Sequence, residues 1–169
     1  MAVSRLRRRK ISRLSALKSF NNTRKRWPKV KPEHVFADTN LFLRYLTNDV
    51  PSQADAVEHL LQRAAAGDIV LVINSLVIAE IIWTLESYYG LGRDDIKDKI
   101  LAIFNTPGLE VAEGELLLQA MLWYADKNID FVDAFNAAWL LSRGLRTTYT
   151  FDRKHFSRIE GIKVLPPEN

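Results

Sequence analysis

The sequence contains no cysteine and no long apolar run. The absence of cysteine among 169 residues excludes disulfide frameworks, zinc clusters built on thiolates and cysteine nucleophiles. The longest apolar run, from Leu76 to Trp83, is interrupted by Glu80 and is far shorter than the roughly 18 residues that suggest a membrane span. We therefore expect a soluble, cytoplasmic protein with no membrane partner.

Acidic residues are absent from the first 31 positions, which hold 12 of the 24 lysines and arginines. The remaining 12 basic residues and all 20 acidic residues lie in residues 32–169, which gives that part a formal net charge of −8. We predict a disordered basic extension over residues 1–31 and one domain over residues 32–169. The candidate phosphate contacts of the extension are Arg7, Arg8, Arg9, Lys10, Arg24, Lys25 and Arg26.

Several interpretations of this extension stay open. It has the charge of a nucleic-acid-binding arm, and the composition of a disordered solubilising arm. An acid-free start that contains arginine and serine also resembles an organelle-targeting segment. A mistaken start codon is a further alternative.

The order of apolar patterns predicts an α/β fold with a mainly parallel central sheet flanked by helices. The run Ile69–Ile73 is continuously apolar, as expected for a central parallel strand. We expect Ser52 and Ser75 to cap the helices that they begin. The other predicted strands cover residues 34–37, 109–111, 147–150 and 161–165, and the predicted helices cover residues 41–46, 52–66, 75–89, 93–104, 113–127 and 130–143.

Four acidic residues fall where parallel strands end or where the following helices begin. Asp38 and Asp152 follow predicted strands, Glu80 lies one turn inside a helix, and Asp133 lies in the first turn of another. Because the carboxyl ends of parallel strands share one edge of a sheet, we expect these acids to converge. Convergent carboxylates repel one another and need cations, and Mg²⁺ or Mn²⁺ is the natural ion for carboxylate oxygens.

A metal held by carboxylates suits phosphodiester hydrolysis, in which it polarises the phosphate and activates a water molecule. The sequence contains no Walker A motif and no dinucleotide-binding glycine pattern, which disfavours nucleotide-dependent chemistry. For the hydrolysis itself, we expect a metal-bound water molecule to attack the scissile phosphorus in line and to leave 5′-phosphate and 3′-hydroxyl ends.

Each acid also has a simpler structural interpretation. Asp38 is a possible helix cap, and Asp152 a possible Asx-turn residue. Glu80 lies on an apolar helix, where we expect it to be buried and therefore paired or liganded. Asp130 and Asp133 compete for one role: Asp130 suits the helix cap, so Asp133 is the preferred ligand and Asp130 the second choice.

Residues 36–46 resemble the opening of PIN-domain nucleases, in particular VapC toxins of toxin–antitoxin pairs. Residues 75–80, 130–134 and 148–152 resemble the second, third and fourth acidic blocks of that family. The resemblance covers residues 34–165 and implies a PIN-like three-layer fold. It also implies a ribonuclease that binds Mg²⁺ or Mn²⁺ through Asp38, Glu80, Asp133 and Asp152, with Asn40, Ser75 and Thr150 as supporting residues.

The same resemblance implies an RNA substrate, a cognate antitoxin protein and a possible homodimer. The basic extension departs from the VapC pattern, which begins almost at the first strand. Two other functions compete. A haloacid-dehalogenase-like phosphatase would have a second aspartate where Asn40 stands, and a non-enzymatic RNA-binding protein would use the basic extension.

Two further residue groups receive structural interpretations. His34, His59 and His155 lie in a strand start, a helix and a loop, so surface or structural roles are expected rather than a catalytic histidine pair. The spacing of four aromatic residues favours core packing over base stacking. These residues are Trp83, Trp123, Tyr124 and Trp139.

Overall fold

The computed structural model describes residues 31–167. The candidate phosphate contacts between Arg7 and Arg26 lie outside these residues. The described residues form five strands, six α-helices and one short 3-10 helix, Phe156–Arg158. The strands are β1 (Glu33–Phe36), β2 (Ile69–Ile73), β3 (Leu109–Val111), β4 (Thr147–Tyr149) and β5 (Lys163–Leu165). The helices are α1 (Thr39–Thr47), α2 (Pro51–Ala66), α3 (Ser75–Ser87), α4 (Arg93–Phe104), α5 (Gly114–Asp126) and α6 (Phe131–Ser142).

The chain divides into two compact units. The first comprises the residues up to Thr84 together with Asp98–Ala112, and the second comprises Leu85–Lys97 together with the residues from Glu113 onward. The mixed α/β class is confirmed, while the single domain over residues 32–169 stays a prediction. Between residues 31 and 167, no helix combines the length and apolarity needed to cross a membrane.

The first unit contains a three-stranded parallel sheet in the order β1-β2-β3. The predicted central position and bounds of β2 are confirmed, and its alternate residues Ile69, Leu71 and Ile73 are buried. Helix α2 packs against both α1 and β2. Ala37, directly after β1, is fully buried, and its N–H donates to the carbonyl of Val72. The sheet therefore fixes the backbone immediately before Asp38.

The second unit contains a parallel pair of strands, β4 and β5, and the packed helices α5 and α6. Tyr124 of α5 and Phe131 of α6 meet edge to face with ring centroids 6.2 Å apart. Both rings are buried, so apolar burial and the aromatic contact together stabilise the start of α6.

Two predicted helix caps are wrong. Helix α2 begins at Pro51 rather than Ser52, because the fixed φ and missing N–H of proline suit the first position of a helix. At α3 the cap is Asn74 rather than Ser75: Asn74 Oδ1 accepts a hydrogen bond from Val77 N at 3.1 Å. Helix α1 also begins earlier than predicted, at Thr39.

The prediction that four aromatic residues pack in the core is only partly correct. Tyr124 is fully buried, but the side chains of Trp83 and Trp139 are exposed, Trp83 to 68%. The guanidinium of Arg143 lies 5.3 Å from the ring of Trp139, and this cation–π contact uses a face that the core does not cover.

The close approach of Gly108 to α2 yields a stability prediction. Gly108 has φ +76°, its carbonyl accepts a hydrogen bond from Leu71 N, and a Cβ atom there would collide with the backbone carbonyl of Ala64. We expect Gly108→Ala to lower the free energy of unfolding by about 2–4 kcal/mol, measured by urea denaturation. The control is Gly67→Ala, which has a similar φ of +82° but no atom within 4 Å of the added Cβ and should cost about 1 kcal/mol. Equal decreases in the free energy of unfolding of the two variants would show that the collision with the Ala64 carbonyl does not affect stability.

Candidate active site

Asp38 lies at the junction of β1 and α1. Its backbone is extended, with φ −79° and ψ 157°, which allows its side chain to cap the helix. Asp38 Oδ2 accepts hydrogen bonds from the backbone N of Asn40 at 3.3 Å and from Asn40 Nδ2 at 3.0 Å. Both bonds reach the same oxygen, and the residue is exposed. The capping interpretation is therefore correct, and Oδ1 remains available to an external ligand.

Glu80 is tied to the start of α1 by Thr39. The Thr39 hydroxyl donates to Glu80 Oε2 at 2.7 Å, and Thr39 itself is only 2% exposed. Because Thr39 is the neighbour of Asp38 in the chain, this bond brings the Glu80 carboxylate to the helix end that Asp38 caps.

The expected burial of Glu80 is wrong. Glu80 is exposed, and it shares a stripe of α3 with the exposed residues Leu76 and Trp83. These residues are four and three positions apart, so they follow one face of the helix. Ser75 is the first residue of this helix and is half-buried.

Asp130 caps helix α6. Its Oδ1 accepts a hydrogen bond from Val132 N at 3.0 Å, and its backbone N donates to His155 Nδ1 at 3.2 Å. Asp133 lies in the first turn of the same helix and is half-buried, whereas Asp130 is exposed. The assignment of the cap to Asp130 is correct, and it leaves the Asp133 carboxylate for another partner.

Asp152 lies in a braced turn after β4. Its backbone N donates to Thr150 Oγ1 at 3.0 Å, and its Oδ1 accepts from Lys154 N at 2.9 Å, which makes it the expected Asx-turn residue. The backbone N of Thr150 donates to Leu165 O at 3.0 Å. Thr150 therefore joins the Asp152 turn to β5.

Two arginines that the sequence did not single out hold the segment before Asp130. Arg93 Nη1 donates to the carbonyls of Tyr124 at 2.7 Å and Ile129 at 2.6 Å. Arg158 Nη1 donates to the carbonyls of Lys127 and Asn128 at 3.2 Å and 2.7 Å. A guanidinium group has five N–H donors, so one arginine side chain can hold two carbonyl oxygens at once. No sequence signal marked these residues, because both arginines lie in ordinary charged stretches.

Like charges accumulate around Asp133. Burial raises the pKa of its carboxyl group above the ordinary value, and the nearby charges of Asp130 and Asp152 raise it further, while His155 opposes them. Burial and carboxylate repulsion both disfavour the ionised form. Asp130, Asp133 and Asp152 therefore share one electrostatic environment, in which their negative charges disfavour one another.

The donor chemistry fits a hard divalent cation. Carboxylate oxygens are the ligands that Mg²⁺ and Mn²⁺ favour, and such a cation would relieve the repulsion at Asp133. Within the described range, no three or more His, Cys, Asp or Glu side chains are already arranged as a metal-binding group.

Residues 35–162 match the family described as PIN domain. This range includes all the candidate acids and most of the described elements. No curated protein matches the chain.

The raised pKa of Asp133 yields a prediction about stability and pH. Because the folded-state pKa is raised, the fold is penalised as the pH rises through that pKa, and the penalty is absent below the ordinary value of 3.8. We expect Asp133→Asn to increase the free energy of unfolding near pH 7 in metal-free buffer, with a gain that disappears as the pH falls toward 4. Urea denaturation at several pH values measures this difference.

The matched control is Asp95→Asn. Asp95 also lies in the first turn of a helix, α4, but it is exposed. The helix dipole favours a negative charge there, so this variant should lose stability near pH 7. If Asp133→Asn loses stability to the same extent, carboxylate repulsion does not dominate at Asp133.

Proposed function

The chain belongs to the PIN domain family, a family of nucleases, and from this membership we propose that it is a Mg²⁺- or Mn²⁺-dependent ribonuclease. The observation that carries the metal dependence is the crowding of negative charge at Asp133, whose pKa is raised by burial and by the charges of Asp130 and Asp152. A polyanionic substrate brought to this site adds further negative charge, so cleavage needs a counter-cation.

Four carboxylates are the proposed ligands, namely Asp38, Glu80, Asp133 and Asp152. When bound, the metal would supply Lewis-acid polarisation of the phosphate and a lower pKa for the attacking water. Neighbouring residues fix the carboxylates without neutralising them. Asn40 donates to Asp38, Thr39 donates to Glu80, and Thr150 braces the backbone of Asp152.

Asp133 is a better proposed ligand than Asp130. The Asp130 side chain already accepts a hydrogen bond from Val132 N, which satisfies an otherwise unpaired donor at the start of α6. Asp133 lies in the first turn of the helix in a less exposed position, where an ionised carboxylate needs compensation.

The phosphatase alternative is disfavoured by Asn40. A haloacid-dehalogenase-like enzyme needs a second carboxylate at this position, but the Asn40 amide instead donates to Asp38 at 3.0 Å. An ionised aspartate cannot donate a hydrogen bond. The hydrogen bond therefore supports a role for Asn40 in orienting Asp38.

The finer proposal is a toxin of a toxin–antitoxin pair. It rests on the likeness of residues 36–46 and of the acidic blocks to VapC toxins. A nuclease that degrades its host's RNA requires restraint, which implies a cognate antitoxin protein. The exposed Leu76 and Trp83 of α3 offer apolar area for a protein partner, either an antitoxin or a second copy of this chain.

The nuclease proposal predicts a distinct pattern among three variants. Purified protein should cleave single-stranded RNA in Mg²⁺ or Mn²⁺ and stop when EDTA is added. Asp38→Asn and Asp133→Asn should each reduce the cleavage rate by about 100-fold or more, because each removes a proposed ligand. The matched control is Asp130→Asn, which should keep most activity because asparagine also caps helices.

Gel analysis of a labelled RNA measures these rates. Full activity in EDTA would contradict the metal mechanism, whereas loss of activity in Asp130→Asn but not in Asp133→Asn would reverse the assignment of the ligand. Binding of RNA without any cleavage would favour the non-enzymatic alternative.

The basic extension should change RNA affinity but not turnover. Residues 32–169 have a formal net charge of −8, and the extension adds 12 cations that offset the repulsion of a polyanion. Each phosphate neutralised contributes roughly −0.7 to the slope of log affinity against log salt for single strands. Deleting residues 1–31 should therefore flatten this slope, measured by fluorescence anisotropy, with the saturated rate nearly unchanged. An unaltered slope would favour a targeting segment or a mistaken start codon.

A further inference from the structure

The positive charge of residues 32–163 is concentrated in one stretch. Residues 32–142 hold 6 basic and 17 acidic residues, a formal net of −11. Residues 143–163, here termed the basic segment, hold 6 basic and only 2 acidic residues, a net of +4. One of the two acids is Asp152, a proposed metal ligand. A carboxylate with a proposed role in cleavage thus lies in the part of the fold that attracts phosphates.

Among the large apolar side chains of residues 31–167, that of Phe151 is the most exposed, at 86%. Burial of a phenylalanine side chain contributes roughly 1.5–3 kcal/mol to folding, and an exposed side chain does not make this contribution. Yet hydrogen bonds fix the turn around it. The backbone N of Thr150 donates to Leu165 O, and Thr150 Oγ1 accepts from the backbone N of Asp152. Asp152 Oδ1 in turn accepts from Lys154 N. The fold therefore presents an aromatic ring to solvent on a braced turn.

Two exposed cations, Arg153 and Lys154, directly follow Asp152. They differ from Arg158, whose guanidinium holds the carbonyls of Lys127 and Asn128. Arg158 therefore stabilises the fold, whereas Arg153 and Lys154 are exposed to solvent. Four consecutive residues are thus an aromatic residue, an acid and two cations, namely Phe151, Asp152, Arg153 and Lys154. An aromatic ring and two charges that attract phosphates therefore lie beside the Asp152 carboxylate.

We propose that Phe151, Arg153 and Lys154 form a strand-binding element for single-stranded nucleic acid. The Phe151 ring stacks on one base of the strand, and the two cations contact neighbouring phosphates, which holds the backbone against Asp152. Stacking on a fixed aromatic ring suits a single strand, whose bases are free to separate, better than a duplex. This inference rests on the proposed nuclease function in one respect only, namely that the bound strand is the substrate of the nuclease.

Binding without cleavage tests this element independently of activity. The full chain is titrated in EDTA with a short, fluorescently labelled single-stranded RNA, at a salt concentration that weakens the contribution of residues 1–31. We expect Phe151→Ala to weaken binding by about 5- to 150-fold, the range seen when a base-stacking aromatic is removed. Phe151→Trp should keep or increase the affinity, because the larger ring still stacks.

Matched variants separate stacking from general surface effects. Tyr88→Ala removes another exposed ring, at 80% exposure, and should leave the affinity unchanged. Arg153→Ala combined with Lys154→Ala should reduce the salt slope by about 1.4, whereas the exposed Arg63→Ala in α2 should not. An RNA that carries a photoreactive iodouridine should form a crosslink to Phe151 that mass spectrometry identifies.

The outcomes separate the two proposals. Normal RNA affinity of Phe151→Ala, or equal weakening by Tyr88→Ala, would overturn the strand-binding element even if the protein proves to be a ribonuclease. Equal dependence of duplex binding on Phe151 would also overturn it, because stacked bases in a duplex are not available to the ring. Loss of binding in Phe151→Ala, with rescue by Phe151→Trp, would support the element even if no cleavage were found.

Discussion

Repulsion between carboxylates is the constraint on which the candidate site depends. Asp133 has a raised pKa because it is partly buried and because Asp130 and Asp152 carry like charges near it. The contacts that orient the acids are hydroxyl, amide and backbone donors, such as Thr39 to Glu80 and Lys154 N to Asp152. These neutral donors fix the geometry but leave the charge in place, which suits the divalent cation that we propose.

Charge is also unevenly distributed along the chain, and this asymmetry suits the proposed binding of a polyanion. The strongly acidic residues 32–142 disfavour approach of a polyanion, while residues 143–163 attract it around Asp152. Structural arginines are distinct from those that face solvent: Arg93 and Arg158 use their guanidinium groups to hold the carbonyls before Asp130. One set of basic residues thus holds the backbone before Asp130, and a separate, exposed pair, Arg153 and Lys154, is proposed to contact nucleic acid.

Much of the fold was predictable because local signals agreed with tertiary packing. The bounds of β2 and α4 are as predicted, since a continuous apolar run marks a central strand and glycines precede Arg93. The caps were less predictable, because they depend on backbone angles that residue type alone does not fix. The burial of Glu80 was misjudged because apolar residues occupy several faces of α3, which hid its exposed stripe. The bonds of Thr39 to Glu80 and of Asp130 to His155 join residues 41 and 25 positions apart, beyond the reach of local patterns.

Direct measurement of Mn²⁺ binding by electron paramagnetic resonance tests the central claim, that these carboxylates exist to hold a divalent cation. The full chain should bind Mn²⁺, and Asp133→Asn should weaken binding by about 10-fold or more, because it removes a proposed ligand rather than a distant charge. Asp95→Asn, which removes an exposed first-turn acid of α4, should have little effect. Equal Mn²⁺ affinities for the wild-type chain and Asp133→Asn would contradict the account.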